Sequence, residues 1–225
     1  MRKLFIGNKL YSSWSLRPWI LMKYFDVPFA EMLIPLDMAD TKEKIQSISS
    51  AGHVPVLMDG DFIVWDSLAI MEYIGDAYGH PIWPKSQMAR AHARSLAAEV
   101  HSGFNALRTD CPMNLGKKYS FKNYSDAVLK NVDRISSLVK DCRERFGQDG
   151  SFLFGNFSAA DAMYLPIITR LDTYSFPLSP ILQAYRDILF KLPQFQEWRE
   201  AALNESWIVE ADEVADKPIQ VFRRK

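Results

Sequence analysis

The sequence predicts a mixed α/β domain followed by an all-α helical bundle. Strand-like and helix-like segments follow one another in the order β-α-β-α-β-β-α up to about residue 79, and every apolar pattern beyond residue 87 has the period of a helix. A chain of 225 residues is long enough for two modest domains. We therefore expect an α/β domain over residues 1–80, a proline-containing linker over 81–87 and an all-helical domain over 88–225.

The first half of the α/β domain should form a strand–helix–strand unit. The apolar run 3–6 is typical of a short buried strand, and turn residues separate it from the helical pattern of 15–25. A second strand is expected at 28–34 and a short helix at 41–49. Because a helix connects the first two strands, they should pair in parallel.

The second half of this domain should be a hairpin and a helix. Residues 55–58 and 62–65 are short apolar segments, and the Asp59-Gly60 pair between them is a strong signal for a tight turn. Asp66 and Ser67 are good helix N-caps, and the apolar stripe after them ends near Gly79. The last two strands of the sheet should therefore be antiparallel.

Beyond the linker the periodicity predicts five helices and no strand. The predicted helices cover residues 87–107, 124–146, 158–173, 180–191 and 195–203. Residues 208–225 have no clear period, and we expect them to lie as a tail over the bundle.

Composition excludes several classes of function. Lys plus Arg and Asp plus Glu both number 27, so the chain lacks the basic field of a general nucleic-acid binder. The two cysteines, Cys111 and Cys142, lie far apart, which disfavours a disulfide scaffold and favours a reducing compartment. No apolar segment approaches the ~20 residues needed to cross a bilayer. These features predict a cytoplasmic protein without nucleic-acid or membrane partners.

A serine-rich segment lies at the turn into the first helix. Ser12, Ser13 and Ser15 can place hydroxyl groups beside unpaired helix N–H groups, where an anion is favoured. A thiolate there would gain from the helix dipole and from a hydroxyl hydrogen bond, both of which lower the pKa of a thiol. The same serines could equally serve as ordinary N-caps.

Two further segments could bind an extended, amino-acid-like ligand. A cis Val54-Pro55 bond at the start of a strand would turn the polar backbone groups of Val54 outward, where a peptide-like ligand could pair with them. At the next helix start, the Ser67 hydroxyl could hold a carboxylate and Asp66 an ammonium group. Each segment also has a purely structural interpretation, as a strand start and as an N-cap.

In their order and spacing these segments resemble the cytosolic glutathione transferases, and in particular a bacterial, serine-type member. Ser12-Ser13-Trp14-Ser15-Leu16-Arg17 is similar to the Ser-Ser-Cys-Ser-x-Arg motif of the zeta class, and Val54-Pro55 to the cis-proline of the family. Asp66-Ser67-Leu68-Ala69-Ile70 resembles its glutamyl-binding motif, and Ser158-Ala159-Ala160-Asp161 its buried capping box. The resemblance covers about residues 3–203 and implies a thioredoxin-like N-terminal domain with an all-α C-terminal bundle.

The resemblance implies glutathione as co-substrate and assigns the reacting group. Ser12 would activate the glutathione sulfur, with Ser13 as a helper beside it, and no metal would be needed. Tyr11 is the rival activator. Because no cysteine lies between residues 9 and 15, thiol–disulfide exchange is disfavoured.

The resemblance also assigns the remaining glutathione contacts. Val54, which precedes Pro55, would pair with the cysteinyl backbone, and Asp66 and Ser67 would take the γ-glutamyl end. His53 stands where many relatives carry Gln or Lys and could reach the glycyl carboxylate.

One residue departs from the zeta-class motif. Trp14 occupies the position of the cysteine, so the maleylacetoacetate isomerase activity of that class does not carry over directly. The reaction with a small electrophile could be conjugation, as in detoxification, or dehalogenation or isomerisation. A non-catalytic module that keeps the fold is the alternative to an enzyme.

The electrophile is expected between the domains, against the first helix of the bundle. Together with Trp14, the side chains of His101, Asn105 and Arg108 would form a polar wall at helical spacing, and Arg108 could hold an acidic substrate. The same three residues of the helix could instead form a solvated face or a subunit contact. Four aromatic residues could line an apolar pocket or belong to the core: Trp83, Tyr119, Phe121 and Tyr164.

The resemblance further implies a homodimer. The third predicted helix offers Met71 and Tyr78 as candidates for the subunit contact.

Overall fold

The computed structural model describes residues 1–224 and has the two parts that the sequence predicts. The first part contains strands β1 to β4 and helices α1 to α3, and its elements are β1 (Lys3–Ile6), α1 (Ser13–Tyr24), β2 (Ala30–Leu33), α2 (Thr41–Ile48), β3 (Val56–Asp59), β4 (Phe62–Trp65) and α3 (Ser67–Tyr78). Its strands form one sheet in the order β2-β1-β3-β4. β1 pairs with β2 in parallel and with β3 antiparallel, as expected.

The second part is a helical bundle with one small pair of strands. Its elements are α4 (Gln87–Ser102), α5 (Asn105–Asp110), β5 (Lys117–Lys118), α6 (Asp126–Phe146), α7 (Ala159–Thr173), α8 (Pro180–Phe190), α9 (Pro193–Leu203), a short 3-10 helix (Glu210–Asp212) and β6 (Gln220–Val221). β5 and β6 pair antiparallel, so the prediction that this part contains no strand is wrong at this point. A strand of two residues is too short to show the alternation of apolar and polar residues by which strands are predicted.

Helix α7 is the centre of the bundle. Almost all of its side chains are buried, which is why its apolar residues surround the helix instead of forming a stripe. The capping box predicted at its start is confirmed, because the Asp161 carboxylate accepts hydrogen bonds from the N–H and the hydroxyl of Ser158, both at 2.9 Å.

The predicted helix 87–107 is divided into two helices at Gly103. A side chain at this position would have its Cβ only 2.7 Å from the backbone oxygen of Glu99, so glycine allows the close approach of the turn. Phe104 follows in the left-handed region with a φ of 58°. The chain therefore changes direction between His101 and Arg108, although both lie within one continuous helical pattern in the sequence.

Contacts between the two parts hold the loop that precedes α1. The Glu205 carboxylate accepts hydrogen bonds from the backbone N–H groups of Lys9 (2.7 Å) and Leu10 (3.2 Å). The indole N–H of Trp198 donates to the Lys9 carbonyl at 2.9 Å, and its ring packs edge-on against Trp19, 5.1 Å between centroids. Residues of α9 and of the segment just after it thus fix the backbone that leads to Ser12.

Candidate active site

A cleft of about 650 Å³ lies where the two parts meet. Its wall contains ten of the eleven residues that the sequence predicts for the site: Ser12, Ser13, Trp14, His53, Val54, Pro55, Asp66, Ser67, His101 and Arg108. Asn105 is the exception. It lies on α5, beyond the break at Gly103, and its side chain is exposed, so its prediction as a cleft residue is wrong.

Ser12 is both a helix cap and a cleft residue. Its hydroxyl oxygen lies 2.8 Å from the hydroxyl of Ser15 and accepts a hydrogen bond from the Ser15 N–H at 3.4 Å. The Ser15 hydroxyl in turn accepts from the Gly7 N–H at 3.0 Å. When Ser15 donates its proton to Ser12, the proton of the Ser12 hydroxyl is free for a group in the cleft. The two interpretations from the sequence, cap and thiol contact, are therefore compatible.

The backbone before Ser12 is fixed by Asn8. The Asn8 carbonyl accepts from the N–H groups of Tyr11 (3.2 Å) and Ser12 (2.7 Å), and its side-chain oxygen accepts from Leu36 N–H at 2.7 Å. Asn8 is fully buried. Its three bonds determine where the chain turns into α1, and hence where the Ser12 hydroxyl points.

Tyr11 also lines the cleft, but its proton is already used. The phenol donates to the Glu213 carboxylate at 2.7 Å. Burial and, after it, the bond to Glu213 raise the pKa of Tyr11 well above its ordinary value. A phenol with these properties is a poor partner for a thiolate on the other side.

The predicted cis peptide bond between Val54 and Pro55 is confirmed. Val54 precedes β3, and neither its N–H nor its C=O forms a hydrogen bond with residues 1–224. This backbone is open toward the cleft, where an extended ligand can pair with it. The neighbouring His53 is exposed at the rim.

Asp66 is more constrained than the sequence suggests. One carboxylate oxygen caps α3 by accepting from the N–H groups of Leu68 (2.9 Å) and Ala69 (3.2 Å). The other oxygen lies 3.1 Å from the Nε2 atom of His101. Asp66 itself has a φ of 73° and a ψ of 132°, which lies outside the left-handed helical region that aspartate tolerates and is a strained conformation for a residue with a side chain.

Ser67 is buried next to a charged group. Its hydroxyl oxygen accepts from a guanidinium N–H of Arg17 at 3.4 Å, which leaves the hydroxyl proton available as a donor. Arg17 is fully buried, and its Nε and Nη2 atoms have no hydrogen-bond partner among the described residues. The start of α3 is therefore a site where a carboxylate would be stabilised.

Trp14 forms a wall between charged groups. Its ring lies edge-on to His101, 5.4 Å between centroids, and the guanidinium carbon atoms of Arg17 and Arg108 lie 4.0 and 5.1 Å from its ring centre. Such contacts are typical of cation–π interactions. At the place of the zeta-class cysteine, Trp14 therefore packs and supplies no thiol.

Arg170 and Asp212 line the same cleft, although no sequence motif pointed to either residue. Arg170, on α7, donates to the Ser13 hydroxyl at 3.3 Å and to the carbonyl groups of Cys111 and Pro166. Burial lowers the pKa of Arg170 to about 10 and raises that of Asp212 to about 6. The available signal was a single arginine within the apolar run of α7, because a charge in a buried helix needs a polar partner.

The four aromatic residues considered for an apolar pocket lie elsewhere. Tyr164 is fully buried, Tyr119 stacks on Tyr174, and Phe121 packs against Phe176. Trp83 donates its indole N–H to Glu72. Of the two alternatives for these residues, an apolar pocket or the core, their contacts favour packing, and none of the four lines the cleft. Aromatic side chains in helical proteins most often belong to the core because they bury large apolar areas.

A larger depression, about 720 Å³, lies between the linker and the end of α6. None of the predicted site residues borders it. Within residues 1–224 we find no group of three His, Cys, Asp or Glu side chains arranged for a metal ion. In the same part of the chain, no helix combines the length and the apolar character of a membrane span.

Comparison with known proteins identifies the family. Residues 11–77 match the family described as "Glutathione S-transferase, N-terminal domain", and residues 90–201 match "Glutathione S-transferase, C-terminal domain". The chain belongs to the glutathione S-transferase family. The family and the fold class predicted from the sequence are confirmed, and the function is confirmed at the level of the family.

Similar proteins are found in several organisms. The chain is 29% identical to glutathione S-transferase theta-1 of Homo sapiens, over 93% of this chain and 89% of that protein. It is 26% identical to a probable maleylacetoacetate isomerase of Caenorhabditis elegans, over 83% and 90%. The crystal structure of a Burkholderia glutathione transferase homologue with bound glutathione matches with a TM-score of 0.69 at 21% identity, covering 89% of this chain and 97% of that one.

Proposed function

We propose that this glutathione S-transferase binds glutathione in the cleft and activates its thiol through the Ser12 hydroxyl for attack on a small electrophile. The observation that carries the proposal is the hydrogen-bonded series from the Gly7 N–H through Ser15 to Ser12, at 3.0 and 2.8 Å. With Ser15 as the donor in its bond to Ser12, the proton of the Ser12 hydroxyl is available to a group in the cleft beside the N-terminus of α1. Both features stabilise a thiolate relative to the thiol.

The two ends of the tripeptide have suitable partners. The open backbone of Val54 supports pairing with the cysteinyl residue, and the Ser67 hydroxyl with Arg17 behind it supports binding of the γ-glutamyl carboxylate. Asp66 still has an oxygen directed at His101, where an ammonium group could share it. His53 at the rim would be the contact for the glycyl carboxylate.

Glutathione binding is tested by calorimetry. We expect the unmodified chain to bind reduced glutathione at up to millimolar concentration, and Ser67→Ala to bind it about 10-fold more weakly because a hydrogen bond to a charged group is lost. Ser137→Ala, on the exposed face of α6, is a matched control that should bind normally. Absence of binding to the unmodified chain would refute the proposal.

Isomerisation of the maleylacetoacetate type is the second candidate, and the similarity to the probable isomerase of Caenorhabditis elegans favours it. Trp14 at the position of the zeta-class cysteine argues against a direct transfer of that activity. The two candidates differ in their products, since conjugation consumes glutathione and isomerisation regenerates it. Measurement of free thiol during turnover distinguishes them.

We further propose that the protein is a cytoplasmic, detoxifying homodimer. The contact suggested from the sequence needs revision, because Met71 is fully buried and Tyr78 bonds to Arg2 and Asp59. Exposed apolar residues include Phe62, at 58% exposure on the edge strand β4, and Met88, at 72% at the start of α4. An edge strand with exposed apolar side chains is a common subunit contact.

A further inference from the structure

Two guanidinium groups from the helical part reach the cleft without a counter-ion. Arg108 comes from α5 and Arg170 from α7, and both line the cavity that contains Ser12. In residues 1–224, neither has a carboxylate oxygen within 4 Å. Desolvated arginines are costly to a protein, and most are paired with a carboxylate or a bound anion.

The present hydrogen bonds of these arginines are all with neutral groups. Arg108 donates from Nε to the Gly103 carbonyl at 2.9 Å and from Nη2 to the Val100 carbonyl, while its buried Nη1 atom has no partner among the described residues. Arg170 donates to two backbone carbonyls and to the Ser13 hydroxyl. The backbone bonds hold both side chains in place, and neither guanidinium group has an ion-pair partner among the described residues.

The two carboxylates in the cleft wall do not neutralise these charges. Asp66 is occupied by the cap of α3 and by His101. Within residues 1–224 Asp212 forms no ion pair with Arg170, although the charge of Arg170 partly offsets the effect of burial on the pKa of Asp212. Arg17 adds a third buried guanidinium behind Trp14, so positive charge exceeds negative charge on this side of the cleft.

We infer that Arg108 and Arg170 bind an oxyanion carried by the electrophile, most simply a carboxylate. This inference rests on the proposed glutathione site and specifies its second substrate. Arg17 contacts Ser67 and therefore belongs to the glutamyl end, whereas Arg108 and Arg170 come from the helical part and line the cleft without contacting Ser67. An acid on the electrophile would meet two preorganised guanidinium groups, the geometry that proteins use for carboxylates and phosphates.

A pair of non-reactive conjugates tests this inference without turnover. S-(4-carboxybenzyl)glutathione and S-(4-carbamoylbenzyl)glutathione share the tripeptide and the ring, and they differ only in a carboxylate against a neutral amide. By calorimetry, we expect the unmodified chain to bind the carboxylate about 10- to 100-fold more tightly. Equal affinities would overturn the inference and leave the glutathione site intact, whereas failure to bind either conjugate would refute both.

Variants of Arg108 identify the group responsible. Arg108→Gln should reduce the affinity ratio of the two conjugates to near one, and Arg108→Lys should restore part of it. Arg134→Gln, which removes the same charge from an exposed arginine paired with Glu99, should leave the ratio unchanged. If Arg108→Gln weakens both conjugates equally, Arg108 serves the tripeptide and the inference is wrong. If Arg170→Gln does not fold, the ratio of the two affinities measured with the unmodified chain still tests the inference.

Discussion

The Tyr11 hydroxyl donates a hydrogen bond to the Glu213 carboxylate at 2.7 Å, across 202 positions of the chain. Glu213 also accepts from the side chains of Asn114 and Lys117. The segment after α9 is therefore tied to the loop that positions Ser12. This one contact removes the phenolic proton from competition for the thiolate and holds Asp212, the neighbour of Glu213, in the cleft wall.

Tyr11→Phe should leave the chemistry of the site nearly unchanged. The glutathione thiol in the binary complex should keep its pKa, because Tyr11 gives its proton to Glu213. The variant should lose about 1.5 to 3 kcal/mol in free energy of unfolding, since a hydrogen bond to a charged acceptor is removed. Thiolate absorbance against pH and urea unfolding measure the two effects. A raised thiol pKa would make Tyr11 the activator.

Asp161 should be a major determinant of stability. Its fully buried carboxylate accepts from the N–H groups of Leu153 and Ser158 and from the hydroxyls of Ser158 and Tyr185. Asp161→Ala leaves these donors unpaired, at about 1 to 3 kcal/mol for each one that finds no water. We expect several kcal/mol of destabilisation by urea unfolding, whereas Asp126→Ala, in the first turn of α6, should cost under about 1 kcal/mol. A normal unfolding curve for Asp161→Ala would contradict this role.

The same carboxyl should make stability depend on pH. Burial raises the pKa of Asp161 from 3.8 to about 6, so the folded state disfavours the charged form. The resulting penalty is absent below pH 3.8 and complete above about pH 6, and it lowers stability as the pH rises through this window. Relative to Asp161→Asn, the unmodified chain should lose about 3 kcal/mol from well below pH 3.8 to well above pH 6, of which about 2 kcal/mol falls between pH 4 and pH 7. Urea unfolding of both proteins at pH 4 and pH 7 tests this, and a pH-independent difference would contradict it.

Local signals explain which parts of the site could be predicted. Ser12, Val54 and Ser67 each lie at a helix or strand start, where the chemistry is set by a few consecutive residues. The structure therefore places them in one cleft as expected. The prediction that Asn105 lines the cleft is wrong because the helix changes direction at a single residue, Gly103. A periodic pattern of apolar residues does not reveal such a turn.

Long-range contacts explain what the sequence could not reveal. Arg170 bonds to Ser13 across 157 positions, and no spacing rule relates the two residues. The contact depends on how α7 packs against α1, which only the assembled fold determines. The pairing of β5 with β6 has the same origin, since two-residue strands follow from tertiary packing and have no local pattern of their own.

The proposed dimer can be tested at Phe62. Phe62 is exposed on β4 and packs beside Tyr73, 5.6 Å between ring centroids. Phe62→Glu should shift the protein from dimer to monomer, because a charge would be buried in the subunit contact. Phe121→Glu, also at an exposed aromatic residue but on the helical part, is the control and should remain dimeric. Light scattering at micromolar protein decides, and a monomeric unmodified chain would refute the dimer.

The last prediction concerns the series from Gly7 through Ser15 to Ser12. Ser12→Ala removes the hydrogen bond to the thiolate, typically about 1.5 to 3 kcal/mol, so the thiol pKa should rise by about one to two units. Near neutral pH the thiolate fraction and the conjugation rate should fall roughly 10- to 100-fold. Ser15→Ala keeps the Ser12 hydroxyl but removes the group that orients it, so we expect a smaller rise of the same sign.

The Ser12 hydroxyl also caps α1, so its loss should cost about 0.5 to 2 kcal/mol of stability. Ser12→Asp controls for the cap, because aspartate accepts the same N–H bond but has no proton to donate and would repel a thiolate. Ser12→Asp should therefore regain stability relative to Ser12→Ala while the thiol pKa rises further. Recovery of a low thiol pKa in Ser12→Asp would show that the helix start, and not the hydroxyl of Ser12, activates glutathione.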